Sequence, residues 1–209
     1  PYATYRKGQR ELMSVVYKSL LLKKQLFLQA PTGTGKTLST LYPALLAQGQ
    51  GKFPTLFYLT AKTITRQVVE DSLFSLEKKQ LAVHSVTITA KDKICFCKKA
   101  GIAKNECPFA KGYYDRVNEG LMDILEHERI MTREVIEEYA RKHQLCPFEF
   151  SLDISLFCQV IIADYNYVYD PTVYLRRFFD EMTENSAPLL LVDEAHNLVN
   201  RSKEMYSAS

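Results

Sequence analysis

Eight consecutive residues near the N-terminus have the composition of a loop that binds phosphate groups. They read Ala30-Pro31-Thr32-Gly33-Thr34-Gly35-Lys36-Thr37. The two glycines let the backbone curl so that successive N–H groups face one concavity, and a helix beginning near Lys36 adds the positive end of its dipole. In such a loop the lysine ammonium reaches the outer phosphates, and the hydroxyl of Thr37 ligates Mg²⁺. The candidate nucleotide-binding residues are Thr32, Gly33, Thr34, Gly35, Lys36 and Thr37, and the alternative is an ordinary turn between a strand and a helix.

A second polar cluster follows an apolar run near the other end of the chain. The run 188–192 precedes Asp193-Glu194-Ala195-His196. An unbroken apolar run predicts a strand buried on both faces, and nucleotide sites lie at the carboxyl ends of parallel strands. Asp193 is placed to hold Mg²⁺ through water, and Glu194 to orient or deprotonate the attacking water. Together with the loop at Lys36, the two acids predict ATP hydrolysis.

The cysteines form a third group of candidate ligands. Cys95, Cys97 and Cys107 lie in a lysine-rich, non-periodic stretch, and Cys146 follows two amphipathic helices. Four thiolates in such a region suit a four-cysteine metal site, either Zn²⁺ or an iron–sulphur cluster. Cys158 adjoins a predicted strand and is interpreted as a core thiol. Because five is an odd number, a closed disulfide framework is not expected, and a reducing cytosol with metal ligation is the better interpretation.

The elements that must position these residues alternate between apolar strands and amphipathic helices. The predicted strands are 26–28, 55–60, 83–88, 160–163 and 188–192, and the predicted helices are 9–23, one from 36, one from 63, 112–128, 132–143 and 171–182. The cysteine-bearing stretch interrupts this alternation. The pattern predicts an α/β domain with a mostly parallel sheet, in which residues 1–88 and 159–209 flank an inserted, small helical cysteine-rich subdomain at 89–158.

The bulk composition is that of an ordinary globular protein. The 209 residues are 46% hydrophobic and 24% charged, with a formal net charge of +3. This mildly basic balance permits a nucleic-acid partner without arguing for one. No apolar run approaches the ~20 residues that cross a bilayer, and no signal peptide opens the chain, so we expect a cytoplasmic protein without a membrane partner.

The two polar motifs resemble motifs I and II of superfamily 2 helicases. Three further segments are similar to the DinG/XPD branch of iron–sulphur DNA helicases, and they are Cys146-Pro147-Phe148-Glu149, Val160 to Tyr167, and Asp170-Pro171. The resemblance runs from about Tyr5 to Asn197. It implies a RecA-like fold for the α/β domain and an iron–sulphur subdomain for the insertion.

The resemblance also implies roles for individual residues. Gln9 would hydrogen-bond the adenine edge with Tyr5 or Arg6 nearby, and His196 would couple the ATP site to the DNA site. Thr60, Lys62 and Thr63 would contact DNA phosphates. Cys95, Cys97, Cys107 and Cys146 would hold a [4Fe–4S] cluster, with Zn²⁺ as the alternative. Cys97 is displaced from the position that the second ligand usually has in relatives.

The implied activity is that of a DNA helicase. It would couple ATP hydrolysis, with Mg²⁺, to 5′-to-3′ movement along single-stranded DNA and to the opening of forked duplexes, as in DNA repair. A second RecA-like domain is expected in a longer protein, so this part alone would be weakly active. The alternatives are a nucleotide- and DNA-binding module with structural zinc, and a zinc-containing nucleotide-dependent regulator. Tyr113, Tyr114, Tyr165 and Tyr167 are candidate stacking platforms for bases, although each has the alternative of a core position.

Overall fold

The computed structural model describes residues 4–31, 33–101, 103, 106–180, 182–183 and 186–207. Thr32, one of the predicted nucleotide-binding residues, lies outside the described residues. The chain divides into two compact units, the first comprising Pro1–Leu81 with Asp164–Ser209 and the second comprising Ala82–Ala163. The predicted insertion at 89–158 falls within the second unit, and its bounds remain a prediction.

Helices and short parallel strands follow one another along the chain. In order they are α1 (Gln9–Leu21), α2 (Lys36–Gly49), β1 (Leu56–Leu59), α3 (Thr63–Glu77), β2 (Ser85–Thr87), α4 (Lys91–Ile94), α5 (Phe96–Lys99), α6 (Tyr113–His127), β3 (Ile130–Met131), α7 (Arg133–Lys142), α8 (Pro147–Ser155), β4 (Val160–Ala163), α9 (Asn166–Tyr169), α10 (Arg176–Phe179), β5 (Leu189–Val192) and α11 (Asn197–Tyr206). In the described parts of the chain, no helix combines the length and the apolar character needed to cross a membrane.

The first unit is built around the parallel pair β1 and β5. Leu56 lies opposite Leu189, and Leu59 lies opposite Val192. All four residues of β1 are buried, whereas all four of β5 are only half-buried. The expectation that 188–192 is buried on both faces is therefore wrong, because β5 is an edge strand in the described sheet. The pairing nevertheless brings the end of β5 beside the end of β1.

The apolar run before the phosphate loop does not form the predicted strand. Residues 24–31 have no regular secondary structure, and the side chain of Phe27 is 89% exposed. A strand is stabilised by the neighbours with which it pairs, and the described part of the first unit pairs no strand with Leu26–Leu28. The loop is therefore anchored from its other side, where α2 begins at Lys36 as predicted.

The predicted helix at 171–182 is also wrong. Among the described residues of this range, only the single turn of α10 is helical. The Asp170 carboxylate accepts hydrogen bonds from the Thr172 N–H at 2.8 Å and from its hydroxyl at 2.6 Å. An aspartate that bonds the backbone two residues on forms a turn in place of a helix, and Pro171 lies inside that turn.

In the second unit, β2 pairs in parallel with both β3 and β4. Ser85 lies opposite Ile130 on one side and opposite Val160 on the other. Helices α6 and α7 contact each other and α8, and α8 contacts β2. Every strand pair assigned within the two units is parallel and helices accompany both, so the predicted α/β class is confirmed. Cys158 is buried as predicted, and burial raises the pKa of its thiol to about 12.

Candidate nucleotide-binding and hydrolysis site

The phosphate loop has the backbone that its glycines predict. Gly33 and Gly35 have φ angles of 79° and 77°, a left-handed region that other residues enter at a cost. The Thr34 hydroxyl donates to the Pro31 carbonyl at 2.9 Å. The Lys36 ammonium donates to the Ala30 carbonyl at 3.1 Å, so its charge lies against the loop. Backbone N–H groups, the α2 N-terminus and this ammonium thus form one positive region suited to phosphate.

Gln9 lies against the same loop. It is buried at the start of α1, and its Oε1 accepts the Arg6 N–H at 3.0 Å. A β-carbon built at Gly35 would lie 2.9 Å from the Gln9 Nε2 atom. The Arg6 guanidinium donates a hydrogen bond to the Gly33 carbonyl. The segment that resembles an adenine-reading motif therefore contacts the loop directly, whereas the Tyr5 side chain is largely exposed.

A cavity of about 310 Å³ opens beside the loop. Its lining includes Arg6, Gln9, Gly35 and Thr37 together with the α3 residues Asp71, Ser72 and Ser75. Small-ligand sites have volumes of roughly 300–1,000 Å³. The cavity therefore joins the predicted base-reading residue to the predicted phosphate-binding residues in a space of suitable size.

The two acids follow β5 in an unusual backbone conformation. The Asp193 N–H donates to the Leu59 carbonyl at 2.9 Å and so extends the pairing with β1 by one residue. Glu194 has a φ of 51°, in the left-handed region. Its N–H donates to Oδ1 of Asp193 at 3.0 Å. The His196 Nε2 atom lies 3.5 Å from the Glu194 Oε2 atom, and the imidazole is mostly exposed.

Tyr58 joins the two motifs, and sequence reasoning missed it. This buried residue of β1 hydrogen-bonds with its hydroxyl to the side chains of both Thr37 and Asp193. Burial and the Asp193 charge raise the pKa of the Tyr58 phenol, so it is protonated at neutral pH. The two predicted Mg²⁺ ligands therefore share one neighbour. The available signal was a tyrosine inside an otherwise apolar strand, because a buried phenol hydroxyl needs a hydrogen-bond partner.

Tyr165 is the second buried tyrosine at the acids. Its hydroxyl donates to the Asp193 carbonyl and, at 3.2 Å, to the Glu194 carbonyl. The Tyr165 side chain is fully buried, and the side chains of Tyr113 and Tyr167 are nearly so. All three are therefore core residues and not exposed platforms for stacking bases. Tyr114 is 84% exposed and is the candidate still open for base stacking.

Thr60, at the strand end predicted to contact DNA phosphates, is buried. Its hydroxyl accepts the Lys62 N–H at 3.4 Å, just before α3 begins at Thr63. This is a local side-chain to backbone contact of the kind found at the starts of helices. The Lys62 and Thr63 side chains are exposed and remain candidates for a phosphate contact.

The cysteines of the second unit do not form the predicted four-thiolate site. Cys97 and Cys107 are joined as a disulfide with a Cα–Cα distance of 6.0 Å, while Cys95 and Cys146 are free. Sulfurs bonded to each other are not thiolate ligands. Among the described residues no three His, Cys, Asp or Glu side chains converge as a metal site. The donor chemistry suits a cluster, but the arrangement as it stands does not fit one, because two of the four predicted ligands are bonded to each other.

The segments that carry the cysteines are nevertheless tied together. The Arg116 Nη2 atom donates to the Pro108 carbonyl at 3.3 Å and to the Gln144 carbonyl at 2.8 Å. These carbonyls lie next to Cys107 and two residues before Cys146. The Lys91 ammonium bonds Glu149 at 2.9 Å and lies within electrostatic reach of Cys95 and Cys146. Backbone and charge contacts therefore gather all four cysteine segments within this unit.

Comparison with known proteins gives consistent matches. The DEAD_2 family profile matches residues 68–209, and the DEAD/DEAH box helicase profile matches residues 6–119. The chain is 25% identical over 259 residues to a regulator of telomere elongation helicase 1 homolog from Caenorhabditis briggsae, with 100% of this chain and 25% of that protein covered. It is 24% identical over 235 residues to the XPD/RAD3 helicase subunit of general transcription and DNA repair factor IIH from Saccharomyces cerevisiae, covering 96% of this chain and 30% of that protein.

A solved structure titled XPD helicase has a similar fold. It superimposes with a TM-score of 0.63 at 19% identity, covering 97% of this chain and 35% of that one. A truncated XPD structure gives a TM-score of 0.59 at 20% identity. The chain thus spans roughly a quarter to a third of the curated relatives' length. The structural likeness confirms the RecA-like fold expected from the motifs.

Proposed function

Because the chain belongs to the DEAD/DEAH box helicases and to the DEAD_2 family, we propose that it is the ATP-binding part of an ATP-dependent DNA helicase. The observation that carries this proposal is the contact of one buried phenol, Tyr58, with both Thr37 and Asp193. A phosphate loop and an acidic strand end that share a neighbour are close enough to act on one Mg²⁺-bound nucleotide.

Each site residue has a chemical task in this proposal. Gln9 recognises the base, with Arg6 and Tyr5 nearby, while the loop N–H groups and Lys36 bind the phosphates. Thr37 and Asp193 hold Mg²⁺, which neutralises charge on the phosphates when bound. Glu194 orients the attacking water and accepts its proton. His196, whose imidazole lies 3.5 Å from the Glu194 carboxylate and is mostly exposed, relays the state of this site to bound DNA.

Movement on DNA requires more than the described residues supply. We propose 5′-to-3′ translocation on single-stranded DNA with opening of forked duplexes, by a longer protein that contains a second RecA-like domain. The relatives support the longer protein, since each is three to four times the length that this chain covers. Hydrolysis in such motors uses an arginine supplied from a facing domain, so we expect this part by itself to turn over slowly.

We further propose that Cys95, Cys97, Cys107 and Cys146 hold a structural [4Fe–4S] cluster in the reduced protein, with Zn²⁺ as the alternative. The proposal depends on the four thiols lying in one unit, and on reduction of the Cys97–Cys107 disulfide. No step of ATP hydrolysis requires the cluster.

ATP hydrolysis by the full-length protein, with and without single-stranded DNA, tests the main proposal. We expect DNA to stimulate hydrolysis, and Lys36→Ala and Glu194→Gln to reduce it by about 100-fold or more. Lys24→Ala is the matched control, since Lys24 is exposed. Nucleotide and DNA binding without hydrolysis in the full-length protein would favour the binding module instead. Stimulated hydrolysis that survives both substitutions would refute the site assignment.

A further inference from the structure

We propose that Tyr165 is a positioning residue for hydrolysis, whose buried hydroxyl fixes the backbone of Asp193 and Glu194 and thereby the direction of the Glu194 carboxylate. The inference rests on the proposed function, because it concerns the same acids. It assigns to Tyr165 a role in the ATP site in place of the DNA contact considered from the sequence.

The backbone of Glu194 needs such a contact. Its φ of 51° is a conformation that a residue with a β-carbon adopts only where the surroundings hold it. The Glu194 carboxylate itself is half-exposed, and among the described residues its side-chain partner is the exposed His196, 3.5 Å away. Since little else constrains this carboxylate, its direction is set by the backbone that carries it.

The Glu194 carbonyl is held from two sides. Tyr165 donates to it at 3.2 Å, and Asn197 donates to it through its backbone N–H at 2.9 Å and its Nδ2 at 3.1 Å. The Tyr165 hydroxyl also donates to the Asp193 carbonyl. One phenol therefore links two consecutive peptide units, which sets the direction of the chain between the two catalytic acids.

Tyr165 is itself rigid. Its side chain is fully buried, and its carbonyl accepts the N–H groups of Val168 at 3.0 Å and Tyr169 at 2.9 Å at the start of α9. A rigid phenol donor is suited to holding a strained peptide.

The test is ATP hydrolysis by the full-length protein carrying Tyr165→Phe, which keeps the ring and removes the hydroxyl. We expect kcat to fall about tenfold with little change in KM for ATP, because misdirection of Glu194 affects the attacking water and not the phosphate loop. The matched control is Tyr169→Phe on the neighbouring turn, for which we expect wild-type kcat and KM.

Three outcomes overturn the inference while leaving the proposed function intact. They are wild-type kcat in Tyr165→Phe, a rise in KM with kcat unchanged, and an equal fall of kcat in the Tyr169→Phe control. Lack of DNA-stimulated hydrolysis in the wild-type protein would refute the proposed function itself. That result comes from the wild-type assay alone, so it is distinguishable from a failure of the inference about Tyr165.

A double-mutant cycle separates positioning from general loss of stability. If Tyr165 acts through Glu194, Tyr165→Phe causes no further loss in single-turnover hydrolysis when Glu194→Gln is already present. A full additional tenfold loss in that background contradicts the inference. Should Tyr165→Phe fail to fold, Asn197→Leu removes the Nδ2 donor to the same carbonyl and keeps the backbone donor. A fall in kcat at constant KM is then expected, and wild-type kcat in that variant overturns the inference.

Discussion

A β-carbon on Gly35 would lie 2.9 Å from the Nε2 atom of Gln9. Real β-carbons essentially never approach a heavy atom this closely, so Gly35 is needed for two reasons. It adopts a φ of 77°, and it leaves space for the side chain that we assign to base recognition. The phosphate loop and the base-reading segment are thus coupled at a single position.

Alanine substitutions at the two loop glycines separate these reasons. Gly33 has a similar φ of 79°, but nothing lies within 4 Å of a β-carbon built there. We expect both Gly33→Ala and Gly35→Ala to weaken nucleotide binding through backbone strain. Only Gly35→Ala should also reduce the preference for ATP over GTP, because it displaces Gln9. Fluorescent ATP and GTP analogues measure both effects, and an equal loss of preference in the two variants would contradict this account.

Removal of the Tyr58 hydroxyl should change the dependence of hydrolysis on Mg²⁺. The phenol hydrogen-bonds the side chains of Thr37 and Asp193, which are the proposed metal ligands. Loss of a group that orients metal ligands typically weakens metal affinity by about 10- to 100-fold. We expect Tyr58→Phe to require about tenfold more Mg²⁺ for half-maximal hydrolysis. Tyr42→Phe, on the exposed side of α2, is the control, and an unchanged Mg²⁺ titration in Tyr58→Phe would rule out the metal-orienting role.

The sequence predicted the parts of this site that depend on local residue types. The glycines define the loop backbone, the start of α2 at Lys36 follows from the same pattern, and the apolar runs became β1, β2 and β4. The strand at 26–28 and the helix at 171–182 were wrong for different reasons. The first depends on a neighbour elsewhere in the chain, and the second was displaced by the Asp170 turn.

The two tyrosines could not be assigned from the sequence, because their roles depend on tertiary contacts. Tyr58 lies far along the chain from Asp193, and only the parallel pairing of β1 with β5 brings them together. From the sequence, Tyr165 is a candidate stacking platform for bases or a core residue. Its complete burial and its two carbonyl partners become visible only in the folded chain.

The colour of the reduced protein tests the cysteine assignment. We expect full-length protein purified without oxygen to contain iron and to absorb broadly in the visible range. Cys146→Ser should lose both iron and absorbance, whereas Cys158→Ser should keep them, because Cys158 is buried with its thiol protonated. Stoichiometric zinc in a colourless protein would select the alternative metal. In metal-free protein, two cysteines that react with a thiol reagent only after a reductant is added would instead favour the Cys97–Cys107 disulfide.

The second unit contains a carboxylate whose contribution to stability depends on pH. Asp123 Oδ2 lies 2.6 Å from both Lys142 Nζ and His143 Nε2, while Oδ1 lies 3.3 Å from His127 Nδ1. The hydrogen bonds from Lys142 and His143 lower the pKa of Asp123 from 3.8 to about 2. Because the folded state favours the ionised form, the stabilisation is complete above the ordinary pKa of 3.8 and is lost as the pH falls towards 2.

We therefore expect Asp123→Asn to lower the free energy of unfolding at about pH 6, and the difference from wild type to shrink steadily below about pH 4. Urea unfolding at a series of pH values measures this difference directly. Glu119→Gln on the same helix is the matched control, since Glu119 is exposed, and it should show no such trend. A difference for Asp123→Asn that stays constant down to about pH 2.5 would show that the variant acts through packing and not through the charge of this carboxylate.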